Sequence, residues 1–148
     1  MIAIGADHGG FKLKEEIKRY LDEMSIKYQD FGTYDEVRTD YPIYAKKVAE
    51  AIVNKECDKG ILICKSGCGV AMVANKYKGI RAGTILNEEE AMYAKADDDI
   101  NVITIGGRTT TMEEAIKIIR MWLATEFKGG RYQERIEMIY EIEKNNMK

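Results

Sequence analysis

A thiol, an ammonium and two flexible backbone positions stand together in Cys64-Lys65-Ser66-Gly67-Cys68-Gly69. Gly67 and Gly69 allow a tight turn that points several N–H groups at one spot, and such a nest holds an anion. A cysteine opening that turn, beside a lysine and ahead of a helix, is placed to serve as a base. The same residues also fit a small buried hydrophobe followed by a tight connection. The loop lacks the Gly-Lys-Ser/Thr ending of a nucleotide phosphate loop, and Gly5-x-x-x-Gly9-Gly10 lacks the spacing of a dinucleotide fingerprint. His8, the single histidine, follows Asp7 inside a glycine turn rather than on an apolar helix face. Near the C-terminus, Gly129-Gly130 precede Arg131 and Arg135, whose i, i+4 spacing puts both guanidinium groups on one helical face. Two such forks suit a phosphate, although Glu134 and Glu137 would equally make that face a salt-bridged one. Cys57, Cys64, Cys68 and His8 form one uneven group, poor spacing for structural zinc, so free thiols and no metal are expected.

These residues need elements to hold them. Short β-rich runs (2–4, 27–31, 60–64, 80–84 and 102–105) alternate with helical patterns over 10–24, 43–55, 70–77, 87–96, 111–125 and 131–146. The apolar runs Ile61-Leu62-Ile63 and Val102-Ile103-Thr104-Ile105 are nearly continuous, as expected of parallel strands covered on both faces. The order predicts a three-layer α/β sandwich: a five-stranded parallel sheet, doubly wound and Rossmann-like, with an extra C-terminal helix. Its core should hold Ile4, Leu13, Ile17, Ile61, Leu62, Ile63, Val102, Ile103, Ile105, Ile118 and Trp122. In such a sheet ligands bind outside the carboxyl ends of the strands, which brings forward the loops Asp7–Gly10, Cys64–Gly69, Asn87-Glu88 and Gly106–Arg108.

With 148 residues, one domain over 1–148 is expected, and 23 basic against 25 acidic residues argue against a nucleic-acid partner. No apolar run approaches the ~20 residues of a membrane span, so the chain reads as cytoplasmic. The last helix carries Ile136, Met138, Ile139, Tyr140 and Ile142, more apolar surface than a solvated tail needs, and is expected to cover a partner subunit.

Several motifs in order, Asp7-His8-Gly9-Gly10, Asp30-Phe31-Gly32-Thr33, Arg38-Thr39-Asp40-Tyr41-Pro42, Ser66-Gly67-x-Gly69 with Ala74-Asn75-Lys76, Gly79-Ile80-Arg81-Ala82 and Gly129-Gly130-Arg131-x-x-x-Arg135, resemble the type B ribose-5-phosphate isomerases and the related galactose-6-phosphate isomerase subunits. The resemblance runs from Ile2 to about Glu143. It implies an aldose–ketose isomerase, with ribose 5-phosphate and ribulose 5-phosphate as the first expectation, working through a cis-enediolate without metal or organic cofactor. It also implies a homodimer, or dimers paired into tetramers, with active sites between subunits. By the resemblance Cys64 moves the proton, Ser66 assists at the sugar oxygens, and the backbone of Lys65, Gly67, Cys68 and Gly69 holds the enediolate oxygen. Asp7 and His8 match sugar or phosphate ligands, and Arg108, Arg131 and Arg135 match phosphate contacts. Some relatives place a glutamate base where this chain has Val70. Where the family usually has His-Asn-Asp this chain reads Asp97-Asp98-Asp99, making Asp97 the candidate ring-opening group and Asp98 a substrate contact. Lys65 replaces a small residue, and Tyr132 a frequent histidine. These departures keep two alternatives open: an isomerase of a four- or six-carbon sugar phosphate, and a non-catalytic sugar-phosphate binder or subunit that needs a paralogous partner.

Overall fold

Alternation along the strands sorts side chains onto two faces, and helices then cover both. The computed structural model describes residues 1–147. β1 (Ile2–Ala6), β3 (Lys59–Cys64) and β5 (Val102–Gly106) are buried strands, while β2 (Tyr28–Asp30) and β4 (Ala82–Thr84) are short edge strands. Every pairing is parallel, in the order β2-β1-β3-β5-β4. Parallel neighbours need crossovers, and the helices supply them: α1 (Phe11–Glu23), α2 (Tyr41–Val53), α3 (Cys68–Ala74), α4 (Glu88–Asp98) and α5 (Met112–Ala124), with α6 (Arg131–Asn146) beyond the last unit. This is the three-layer, doubly wound α/β architecture expected from the sequence.

On one face of the sheet Ile4, Ile61, Ile63, Ile103 and Ile105 meet Leu13 and Ile17 of α1, Ala91 of α4, and Ile118 and Trp122 of α5. On the other, Ala3, Leu62, Cys64 and Val102 meet Val48 and Ala49 of α2 and Val70 and Ala74 of α3. Every expected core position is buried. The indole of Trp122 donates to the Ile100 carbonyl at 3.0 Å, so the largest core side chain leaves no polar atom unpaired. Among the described residues no helix is long and apolar enough to cross a membrane.

Several boundaries differ from expectation; α2, for one, runs Tyr41–Val53 rather than 43–55. β2 and β4 keep only three residues each, because edge strands have one neighbour to hold them. α3 is Cys68–Ala74 rather than 70–77; Gly67, at φ 82°, starts it two residues early. α4 continues to Asp98, so Asp97 and Asp98 lie in its last turn rather than in a loop before β5, and the chain leaves the helix at Asp99 in a left-handed conformation. On α6 only Ile136 is buried, while Met138, Ile139 and Ile142 are exposed.

One buried charge braces the loops that follow β1 and β2. Lys14 on α1 is fully buried, its Nζ 2.6 Å from Asp30 Oδ2 and flanked by the rings of Phe11 and Tyr34. Lys18 reaches the same oxygen at 2.8 Å, while Asp30 Oδ1 accepts the Gly32 N–H at 2.8 Å. Burial by itself would raise the Asp30 carboxyl, but the two ammonium groups and the Gly32 N–H outweigh it and hold the carboxyl below its usual range. A native value below the unfolded one contributes stability that is present above about pH 4 and lost as the pH falls through the native value. Lys14→Met should therefore cost about 2–3 kcal/mol at neutral pH, with the deficit shrinking on acidification. Urea unfolding from pH 7 down to pH 3 measures this, and a deficit independent of pH would refute it.

Candidate active site

β2 lies on one side of β1 and β3 on the other, so the winding reverses there and a crevice opens outside their carboxyl ends. The register pairs Ala6 with Ile63, which brings Asp7 and Cys64 out of the sheet side by side. Strand alternation turns Cys64 toward α2 and α3, and the loop closes back over its sulfur: the Gly67 N–H donates to Sγ at 3.2 Å. The Gly107 N–H donates to the Cys64 carbonyl at 2.7 Å and the Arg108 N–H to the Lys65 carbonyl at 3.1 Å, fastening the loop after β5 to the loop after β3. Asp7 is buried, and its Oδ1 accepts the N–H groups of Gly9 and Gly10 at 2.9 and 3.2 Å. His8 Nδ1 lies 3.1 Å from both the N–H and the carbonyl oxygen of Thr39, which holds the segment before α2 against the β1 loop.

A cavity of about 330 Å³ opens over this loop, lined by Asp7, Tyr41, Cys64, Lys65, Ser66, Gly69 and Met72. Cys64 is only 4% exposed, yet it forms part of the cavity wall. A more polar cavity of about 600 Å³ shares Asp7, Tyr41 and Lys65 and adds His8, Arg38 and Asp40 among its walls. Ser66 stands exposed at the mouth, its Oγ accepting the Cys68 N–H at 3.2 Å. Cys68 is exposed and lines neither cavity. Tyr41 and Arg38 are site residues that residue type and spacing did not single out; the Arg38–Pro42 run was the one signal that could have found them. Among the described residues no group of three or more His, Cys, Asp or Glu side chains is placed to hold a metal ion.

The remaining candidates gather elsewhere. Asp97 and Asp98 end α4 beside the start of β5, whereas Cys64 pairs with the last residue of β5, Gly106. Five residues of strand separate the two ends by on the order of 13 Å along the sheet. Asp97 Oδ1 lies 2.9 Å from Lys128 Nζ, and this pairing raises the Lys128 pKa. Around Tyr132 stand Lys128 Nζ at 4.9 Å, Arg131 Cζ at 5.2 Å and Arg135 Cζ at 5.3 Å from the ring centre. Asp98 is exposed and makes no ion pair among the described residues. The structure thus unites Asp7, His8, Cys64, Lys65, Ser66, Gly67 and Gly69, with Arg108 on the adjoining loop. It does not bring Asp97, Asp98, Arg131 or Arg135 to them within one chain.

Residues 2–139 match the ribose/galactose isomerase family. The chain belongs to this family. Ribose-5-phosphate isomerase B of Escherichia coli (strain K12) is 44% identical over 142 residues, covering 96% of this chain and 95% of the relative. The structure of ribose-5-phosphate isomerase B from Clostridium thermocellum superposes with a TM-score of 0.95 at 42% identity, covering 97% of each chain. That of the Mycoplasma genitalium enzyme with bound ribulose-5-phosphate does so with a TM-score of 0.92 at 40% identity, covering 97% of this chain and 95% of that one. Family membership makes the chain a sugar-phosphate isomerase of the aldose–ketose class.

In this family member Gly69 lets the Tyr41 ring sit against the anion loop, since a Cβ there would lie 2.6 Å from ring carbons Cε1 and Cζ. Gly69→Ala should push Tyr41 off the wall that both cavities share and lower kcat/KM by about tenfold or more. Steady-state kinetics alongside thermal unfolding check this: a fully folded variant with unchanged kcat/KM would show that Tyr41 does not shape the site.

Proposed function

We propose that this isomerase interconverts ribose 5-phosphate and ribulose 5-phosphate through a cis-enediolate, with Cys64 as the base. The observation that carries the reading is Cys64 in a cavity wall beneath a glycine turn, with Sγ in contact with the Gly67 N–H. As thiolate, Cys64 takes the C2 proton of the open-chain aldose; the freed electron pair forms the C1–C2 double bond and the carbonyl electrons move onto O1. Main-chain N–H groups of residues 65–69 hold that oxyanion. The thiol returns its proton to C1, while the O2 proton passes to O1 with Ser66 as relay, giving the ketone. Asp7, held by two backbone N–H groups, accepts from a sugar hydroxyl, and His8 lies in the adjoining polar cavity. The choice of a five-carbon substrate is supported by relatives named for ribose 5-phosphate and by the bound ribulose-5-phosphate in one of their structures.

The phosphate contacts Arg131 and Arg135 come in this reading from a second copy of the chain. Support for a homodimer comes from the separation of the two clusters along β5 and from the exposed apolar positions Met138, Ile139 and Ile142 on α6. Arg108 adds its charge from the loop fastened to Lys65.

Cys64→Ala should lower turnover of ribose 5-phosphate by 10³-fold or more and stop uptake of solvent deuterium at C1 of ribulose 5-phosphate, while phosphosugar binding persists. Retention of full exchange would remove Cys64 from the chemistry. A panel of four-, five- and six-carbon sugar phosphates tests the substrate, and preferred turnover of any sugar but the pentose would revise it. The shared site has its own test. Cys64→Ala mixed with the double variant Arg131→Ala/Arg135→Ala should recover about a quarter of the wild-type rate, because half the dimers carry one intact site. No recovery after verified exchange of subunits would place all the machinery in one chain.

A further inference from the structure

Tyr132 is the one member of the α6 cluster whose proton the neighbouring charges make easier to release. Arg131 and Arg135 do not deprotonate. Lys128 pairs with Asp97 at 2.9 Å, which raises its pKa and holds it as an ammonium. The Tyr132 hydroxyl accepts from Arg131 Nη2 at 3.3 Å, and three cationic groups surround its ring. Hydrogen bonding from Arg131, followed by the charges of Arg131 and Lys128, lowers the Tyr132 pKa from its ordinary value. A phenolate formed there is met by positive charge already in place, so proton release needs no rearrangement.

The reaction itself requires such a donor. A pentose 5-phosphate closes into a furanose, and its ring must open before any proton can move between C1 and C2. The ketose has no free hydroxyl placed to close a five-membered ring, so ribulose 5-phosphate enters open-chain.

We propose that Tyr132, brought to the Cys64 cavity of a second copy of the chain, is the general acid that opens the furanose ring, with Asp97 as a positioning residue acting through Lys128. The phenol proton passes to ring oxygen O4 as the C1–O4 bond breaks and its electron pair leaves with O4. The O1–H proton passes to water, its bond electrons complete the C1 carbonyl, and water reprotonates the phenolate. This assignment rests on the isomerase reading and on its shared site, and it adds a residue with a duty separate from that of Cys64.

The test uses the full-length protein with Tyr132→Phe, which keeps the ring and the cations around it. Ribose 5-phosphate turnover should fall at least thirtyfold, while solvent deuterium enters C1 of ribulose 5-phosphate within threefold of the wild-type rate, because that exchange bypasses the ring. Equal loss of both activities would make Tyr132 a substrate-binding group and overturn the assignment, as would retention of both. Asp97→Asn should shift the same ratio in the same direction by a smaller factor, and no shift would remove its positioning role. Wild-type protein with no exchange on either sugar would instead overturn the isomerase reading, so the two failures are distinct.

Discussion

The parallel ladder joining β1, β3 and β5 fixes where chemistry can occur in this molecule. Its register ends with Ala6 opposite Ile63 and Cys64 opposite Gly106, so three loops leave the sheet at one edge and are laced by backbone hydrogen bonds. A one-residue slip of β3 would turn Cys64 from the α2 and α3 side to the opposite face of the sheet. The flanking apolar residues forbid that slip, since Ile61 and Ile63 fill one layer and Leu62 the other. The burial that stabilises the fold is therefore the same burial that aims the sulfur.

Charge is handled differently at the two ends of β5. At the carboxyl end, backbone N–H groups do most of the work: they bind the Asp7 carboxylate, contact the Cys64 sulfur and line the anion loop. Fixed dipoles of this kind cost little reorganisation when negative charge develops. At the amino end, long cationic side chains gather around one aromatic ring on the surface. Such arms suit the capture of a phosphate, and the ring they surround carries the one phenol among them. A chain with net charge of only -2 can thus hold an anionic substrate, because its positive groups are clustered rather than numerous.

Much of the fold was legible because its strands are extreme in composition. Ile61-Leu62-Ile63 and Val102-Ile103 admit few environments other than a covered parallel sheet, and all of these residues are buried. The edge strands and the ends of α3 and α4 were less legible. The limits of α3 and α4 depend on backbone conformations at Gly67 and Asp99 that composition alone leaves open. The glycine loop and the paired arginines could be read as an anion nest and a phosphate fork, but not as neighbours or strangers. Tyr41 carries no sign in its own identity that it walls a cavity; it does so because Gly69, far along the chain, leaves room for its ring.

The sequence by itself determined the layer architecture, the residues of the core and the kinds of chemistry on offer, since periodicity and residue type are local properties. Only the tertiary structure decided that Asp7 meets Cys64 while Asp97, Arg131 and Arg135 lie a strand's length away. Those distances are set by strand order and register, which arise from pairings between segments remote in sequence and are written in no single one of them.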